Sequence, residues 1–311
     1  MIKINKPKFW DKQIGFLSIL FFPLSLVFLF LIFLKKKIVK ERKFKIPIIC
    51  VGNIYIGGTG KTPTSVLLAK ELSKSGKKPV ILRKYYKHHN DEHYLIKNHF
   101  KNLIVTKNRL MGLKEAENSD FDIAILDDGL QDYKIKKNQK IVCFNSNQLI
   151  GNGLVLPAGP LRENLYALEN VDIVLINGSK VQDFENKILN INKKIEIFYS
   201  SYKPINLEEF KNKKLLAIAG IGNPENFFQM MEKNNLDVSK KITFPDHYEF
   251  SRNEIQDIID EAENSNFQII MTEKDYFKVN KYNLDKINYL KVTLEIYEKE
   301  KFLSKVKSLY D

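Results

Sequence analysis

Seven residues, Gly57-Gly58-Thr59-Gly60-Lys61-Thr62-Pro63, carry the most specific chemistry in the sequence. Glycines at 57, 58 and 60, with Thr59 among them, let backbone N–H groups turn inward onto phosphate oxygens. A helix N-terminus directly after them adds the positive end of its dipole. In that arrangement Lys61 reaches β- and γ-phosphates and the Thr62 hydroxyl ligates Mg²⁺. The general phosphate-loop pattern also asks for glycine at position 55, where this chain has Tyr55, so the match is incomplete. Further on, Phe121-Asp122-Ile123-Ala124-Ile125-Leu126 reads as a hydrophobic strand that ends in Asp127 and Asp128. A carboxylate closing a strand beside a phosphate loop helps to hold Mg²⁺. The rigid turn Pro157-Ala158-Gly159-Pro160 then leads to Arg162 and Glu163. Guanidinium suits phosphate oxygens and carboxylate suits sugar hydroxyls, although a plain surface ion pair has the same sequence.

These groups need elements to position them. The loop follows the apolar run Ile48-Ile49-Cys50-Val51 and precedes a helical stretch over 65–72. Strands are expected at 47–51, 79–83, 122–127, 140–144 and 171–176, with helical or loop segments between, the pattern of a mainly parallel sheet. A second set follows: strands at 215–219, 267–271 and 289–292, with a helix over 224–233 and a linker at 202–206. The expected fold is therefore α/β. A P-loop NTPase-like parallel-sheet lobe over 46–203 is followed by a smaller α/β lobe over 204–311, after an N-terminal membrane-associated helix within 1–45. Cys50 and Cys143 are the two cysteines and both lie in apolar runs, which excludes a disulfide framework and fits a reducing compartment.

The formal charge of +13 suggests a nucleic-acid binder until it is mapped. Residues 1–12 carry a net +3 and residues 35–45 a net +6, leaving +4 for everything else. The excess brackets one uncharged apolar segment, residues 14–34, which favours an anionic membrane surface over DNA or RNA. As a helix that segment is about 31 Å long, enough to cross a hydrocarbon core. Pro23 and positive charge at both ends keep a kinked interfacial helix open as the alternative. Either arrangement leaves residues 46–311 in the cytoplasm.

Four of the five histidines, His88, His89, His93 and His99, fall close together. Their neighbours Lys87, Asn90, Asp91 and Glu92 describe a solvated loop rather than a zinc site. His247 stands apart, in Phe244-Pro245-Asp246-His247-Tyr248, a composition suited to a shaped loop.

Taken in order, these segments resemble one family, the tetraacyldisaccharide 4'-kinases of lipid A synthesis. The resemblance rests on Val51-Gly52-Asn53 leading into the glycine loop, Asn90-Asp91-Glu92, Asp127-Asp128-Gly129-Leu130-Gln131, and Gly151-Asn152-Gly153 through Glu163. It continues in Ala219-Gly220-Ile221-Gly222-Asn223-Pro224, Phe244 to Tyr248, and Thr272-Glu273-Lys274-Asp275. It implies transfer of the γ-phosphoryl group of ATP, with Mg²⁺, to the 4'-hydroxyl of a tetraacyl glucosamine disaccharide 1-phosphate. The product would be lipid IVA, made on the cytoplasmic side of a bacterial inner membrane. The implied active site lies in a cleft between two α/β lobes, and the lipid acceptor explains the anchor. No nucleic acid and no obligate protein partner are implied.

By the same resemblance Asp91 is the base for the sugar hydroxyl and His247 its partner. Residues Gly57 to Thr62, with Arg162 and Glu163, bind the nucleotide; Thr62, Asp127 and Asp128 hold the metal. Arg109, Asn53 and Tyr85 are candidate substrate contacts. Two segments depart from the family's pattern, Leu82-Arg83-Lys84-Tyr85-Tyr86 and Leu130-Gln131-Asp132. Two other readings stay open on sequence: a MinD-type membrane ATPase, against which Ile56 replaces that class's lysine, and a non-catalytic nucleotide-binding scaffold.

Overall fold

The computed structural model describes residues 6–86, 90–246 and 248–310, without the side chains of Asn90 and Asp91. The elements before the second sheet are α1 (Phe16–Ile38), β1 (Ile48–Gly52), α2 (Lys61–Lys74), β2 (Pro79–Lys84) and α3 (Asn90–His99). They continue with β3 (Leu103–Thr106), α4 (Arg109–Asn118), β4 (Ile123–Asp127), β5 (Gln139–Asn145), β6 (Ile173–Asn177), α5 (Gln182–Ile191) and β7 (Glu196–Pro204). Next come β8 (Lys214–Ala219), α6 (Pro224–Lys233), β9 (Asp237–Thr243), α7 (Arg252–Asn264) and β10 (Gln268–Thr272). The last are α8 (Glu273–Val279), β11 (Ile287–Leu290), β12 (Val292–Ile296) and α9 (Lys299–Lys307).

One compact unit consists of Met1–Tyr85, Asn102–Ser201 and Leu294–Asp311. Its sheet has eight strands in the order β12-β7-β6-β5-β1-β4-β2-β3. From β3 to β7 every neighbouring pair is parallel. Such a sheet is covered on both faces, so β1, β4 and β6 are buried at all five positions and read as unbroken apolar runs. Chain order reverses at β1, which lies between β4 and β5. The crevice outside the carboxyl ends of strands at such a reversal is where open α/β sheets bind ligands. Val51 sits level with Asp127 across β1 and β4, so the glycine loop and the Asp127–Asp128 pair leave the sheet side by side.

The second unit consists of Tyr86–Lys101 and Tyr202–Thr293. Four parallel strands run in the order β11-β10-β8-β9. Amphipathic helices cover both faces. Phe227, Phe228 and Met231 of α6 join one core cluster, while Ile255, Ile259 and Ala262 of α7 join the other. Ser251 and Glu254 close a reciprocal capping box that starts α7.

The expected strands appear within one or two residues, except that the one at 289–292 falls across the end of β11 and the start of β12, and the helix over 224–233 is α6. The division of the chain differs from simple boundaries after 45 and 203. Residues 86–101 leave the first sheet after β2, and α3 packs on α8 in the second unit. The final strand and helix return to the first unit, where Phe302 of α9 meets Phe198 of β7 edge-on at 5.3 Å between ring centroids. The segment expected as a linker, 202–206, is partly the end of β7. These pairings join residues far apart in sequence, which local composition does not encode.

Candidate functional site

The glycine loop lies between β1 and α2. Gly57 and Gly60 have φ of 118° and 92°, a region that residues with a Cβ rarely occupy. Gly60 is the N-cap of α2 and has no side chain to fill that role, so the first-turn N–H groups are available to an anion. Asn53 braces the loop from within, its Nδ2 donating to Thr59 Oγ1 at 3.1 Å and to the Gly57 carbonyl at 3.3 Å. Tyr55 has no exposed surface; it packs with Val155 and Leu161 against Phe28 and Leu29 of α1. The position that departs from the general loop pattern is thus a packing position beneath the apolar helix.

Asp127 ends β4 without exposed surface. Thr62 and Ser65, from the first turns of α2, donate to its two oxygens at 3.0 Å each. Arg83 of β2 forms an ion pair with Asp127 and also donates to Thr62 Oγ1 at 3.1 Å. Asp128 adopts φ 56°, which Asp tolerates better than most residues, and Arg109 fixes the turn by donating to its carbonyl at 2.7 Å. The Asp128 carboxylate meets Arg162 at 2.8 Å and lies 3.8 Å from Lys61 Nζ. Burial would raise its pKa, but Lys61, Arg162, Arg83 and Arg109 hold the carboxyl well below its ordinary range. Burial pushes the Lys61 ammonium below the usual lysine range, and Arg162 and Arg83 oppose the pull of Asp128 and Asp127. A phosphate near Lys61 adds negative charge and reverses that shift.

The segment 151–163 has two faces. On one it receives α1: Ser25 Oγ donates to the Val155 carbonyl at 2.9 Å and accepts from Ala158 N at 3.0 Å. Asn152 Nδ2 donates to Ser18 Oγ at 3.1 Å, and Trp10 Nε1 to the Pro157 carbonyl at 2.9 Å. On the other it delivers Arg162 to Asp128 and Glu163 to Gln131, whose Nε2 donates to Glu163 Oε1 at 3.1 Å. Helix α1 is continuous through Pro23, and Phe16, Ile19, Leu24, Phe30 and Leu31 of its other faces are exposed.

The structure therefore brings together Gly57 to Thr62, Asp127, Asp128, Arg162 and Glu163. Arg109 is nearly buried and engaged with the β4 turn, which makes it a brace there. Asn53 is likewise buried under the loop, while Tyr85 is exposed just beyond β2. The backbone of Asp91 belongs to α3, but its side chain and all of His247 lie outside the described residues, as do His88 and His89. His99 pairs with Glu273 at 2.9 Å, and among the described residues no group of three or more His, Cys, Asp and Glu side chains converges as a metal would need. Sequence reasoning missed Arg83, Ser65 and Lys36. Arg83 did leave a signal: a guanidinium inside an otherwise apolar strand requires a buried carboxylate.

The oxygens present fit Mg²⁺. A hydroxyl and a carboxylate from adjacent elements, Thr62 and Asp127, lie 3.0 Å apart. This hard, sparse set suits an ion that keeps waters and takes its other ligands from phosphates. Asp128, also expected in the metal set, is turned toward Lys61 and Arg162.

The sequence model of the family described as tetraacyldisaccharide-1-P 4'-kinase matches residues 17–311. A tetraacyldisaccharide 4'-kinase of Pelagibacter ubique is 39% identical over 311 residues, covering 98% of each chain. One from Francisella tularensis subsp. novicida is 33% identical, covering 88% of this chain and 94% of its own. Among solved structures, LpxK from Aquifex aeolicus in complex with ATP superposes with a TM-score of 0.74 at 22% identity, covering 95% of this chain and 100% of its own, a likeness of fold. With a phosphate loop, an Asp-tipped neighbouring strand and family similarity over nearly its whole length, this chain belongs to the tetraacyldisaccharide-1-P 4'-kinase family.

Proposed function

We propose that the chain transfers the γ-phosphoryl group of ATP to the 4'-hydroxyl of a tetraacyl glucosamine disaccharide 1-phosphate. The observation that carries this reading is the joint placement of Lys61, Thr62 and Asp127 at the carboxyl ends of β1 and β4, beside a loop with unspent N–H donors. Phosphoryl transfer depends mostly on positioning and charge stabilisation. The loop and Lys61 hold the β- and γ-phosphates, and Arg162 faces the charge that builds on the transferred group. Thr62 and Asp127 would hold Mg²⁺, which would supply charge neutralisation at the phosphates when bound. Glu163 contacts the nucleotide. Asp91 accepts the proton of the acceptor hydroxyl and His247 poises it, as the family resemblance implies.

The acceptor carries four acyl chains and stays in the bilayer, so the enzyme works at the cytoplasmic face of the inner membrane. Helix α1 is bound along one side by Asn152, Val155 and Ala158. Lipid cannot surround a helix so docked, and this favours α1 lying in the interface with its exposed Phe and Leu side chains in the acyl region.

Incubation with labelled ATP, Mg²⁺ and the disaccharide lipid, followed by location of the label, tests the assignment. Label at the 4' position is the expected result. ATP binding without transfer, or hydrolysis alone, overturns it. Asp91→Ala and His247→Ala are expected to depress kcat with little change in KM for ATP; matched losses in both would make these residues parts of the nucleotide site.

A further inference from the structure

The last turn of α1 carries a contact that neither membrane binding nor phosphate binding explains. Lys36 Nζ lies 2.6 Å from Glu163 Oε2, with side-chain exposures of 43% and 4%. A carboxylate that deeply buried is costly unless a cation or strong donors meet it. Its second oxygen accepts from Gln131 Nε2, which also donates to the Asn53 carbonyl at 3.0 Å. Asn53 then reaches Thr59 and Gly57 inside the phosphate loop. An unbroken polar path therefore runs from the inner end of the apolar helix to the loop. Tyr133 flanks it: burial and Glu163 raise its hydroxyl pKa, and Lys36 sits 5.0 Å from its ring centre. Lys37, one residue on, lies over Phe33 instead.

We propose that Lys36 is a positioning residue, which holds Glu163 in place and, through Gln131 and Asn53, couples the seating of α1 to the phosphate loop. The proposal rests on the reading of Glu163 as a nucleotide contact. It makes the helix a part of the ATP site as well as an anchor. Removing the helix then weakens ATP binding even where membrane attachment is irrelevant.

The test uses the full chain in detergent micelles and on anionic phospholipid vesicles. A fluorescent ATP analogue reports affinity, sedimentation reports attachment, and steady-state assays separate kcat from KM. Lys36→Met is expected to weaken ATP binding by about tenfold, the scale of a lost charge-assisted hydrogen bond. Attachment and acceptor KM should stay within about twofold, because the other basic residues of the flank remain. Lys36→Arg restores most of the affinity. Lys37→Met, which removes the same charge, leaves it unchanged. The double variant Lys36→Met with Glu163→Gln binds no worse than the weaker single, since both act on one contact.

Equal ATP affinity in Lys36→Met and Lys37→Met, or additive losses in the double variant, overturns the coupling. Gln131→Ala cuts the path without touching the helix, so wild-type affinity there overturns it too, even if Lys36→Met folds poorly. Glu163→Gln separates the two ideas. Unchanged affinity in that variant removes Glu163 from the nucleotide site; a loss there without one in Lys36→Met removes only the coupling.

Discussion

At the end of β4 and at the start of α8 the chain buries aspartates among basic side chains, and the two clusters finish differently. Asp275 has no exposed surface and accepts from Gly220 N, Thr272 Oγ1 and Lys278 Nζ at 2.7, 2.7 and 2.8 Å. Lys278 is itself buried and reaches the Gly220 carbonyl at 3.5 Å. Asp275 and Lys278 thus meet around the turn that ends β8. Asp128 instead faces Lys61, Arg162, Arg83 and Arg109. The side chains of Lys61, Asp128 and Arg162 keep 13%, 21% and 27% of their surface. Among the described side chains three aspartates, Asp127, Asp128 and Asp132 (3.7 Å from Arg109), meet four cations, which leaves an excess of positive charge beside a glycine loop. The residue types are the same; stoichiometry and exposure separate a clamp from a binding site. A matched, closed pair holds a fold, whereas an unmatched, open one recruits an anion.

Lys61→Ala breaks this comparison hardest. It removes a cation from the surplus side, so transfer to the lipid acceptor should fall by about a thousandfold or more, the scale for losing groups that meet transition-state charge. Thermal unfolding should shift little. A variant that keeps near-wild-type transfer would make the β4 cluster another clamp. Asp127→Asn comes next, because it should touch both properties. It takes the carboxylate from buried Arg83, which costs about 3–5 kcal/mol of stability, and it removes an oxygen from the Mg²⁺ set. Urea titration and a Mg²⁺ titration of transfer check the two halves. Loss of stability without a higher Mg²⁺ requirement would leave Asp127 a purely structural acid.

The phosphate-loop side was legible in the sequence because its chemistry is local. Glycines at fixed spacing, a Lys-Thr pair and a strand ending in aspartates are adjacent along the chain, and register between β1 and β4 then brings them together. Arg83 and Lys36 were not legible in this way. Their partners, Asp127 and Glu163, lie 44 and 127 positions away, and no spacing rule predicts a contact that only sheet order and helix docking create. Composition also gave no reason to set residues 86–101 apart from the 46–203 lobe; α3 joins the second unit through its packing on α8. Tyr55 is the instructive middle case: visible as a departure from the loop pattern, and explained only once α1 is seen above it.

The clamp side predicts smaller, purely thermodynamic effects. Asp275→Asn takes the carboxylate from buried Lys278 and should cost about 3–5 kcal/mol in urea unfolding, with Lys278→Met in the same chain restoring much of it. KM for ATP in the folded fraction should not move. A changed KM, with no loss of stability, would place Asp275 among the ligand-facing acids and dissolve the contrast.

The smallest expected effect is in acid. The cations around Asp128 hold its carboxyl below the ordinary value of 3.8, against burial, so the folded form binds that proton less readily than the unfolded chain. The stabilisation is complete above about pH 4 and is lost as pH falls through the depressed value. Asn accepts the same left-handed backbone, so Asp128→Asn isolates the charge. Between about pH 5 and 7 the variant and its parent should show parallel stability curves; below about pH 4 the parent should lose stability faster and the curves converge. Curves that stay parallel into acid would mean that four nearby cations do nothing for this carboxylate. The surplus of charge would then be spent on solvent, and the openness of the β4 cluster would no longer mark it as the place where phosphate binds.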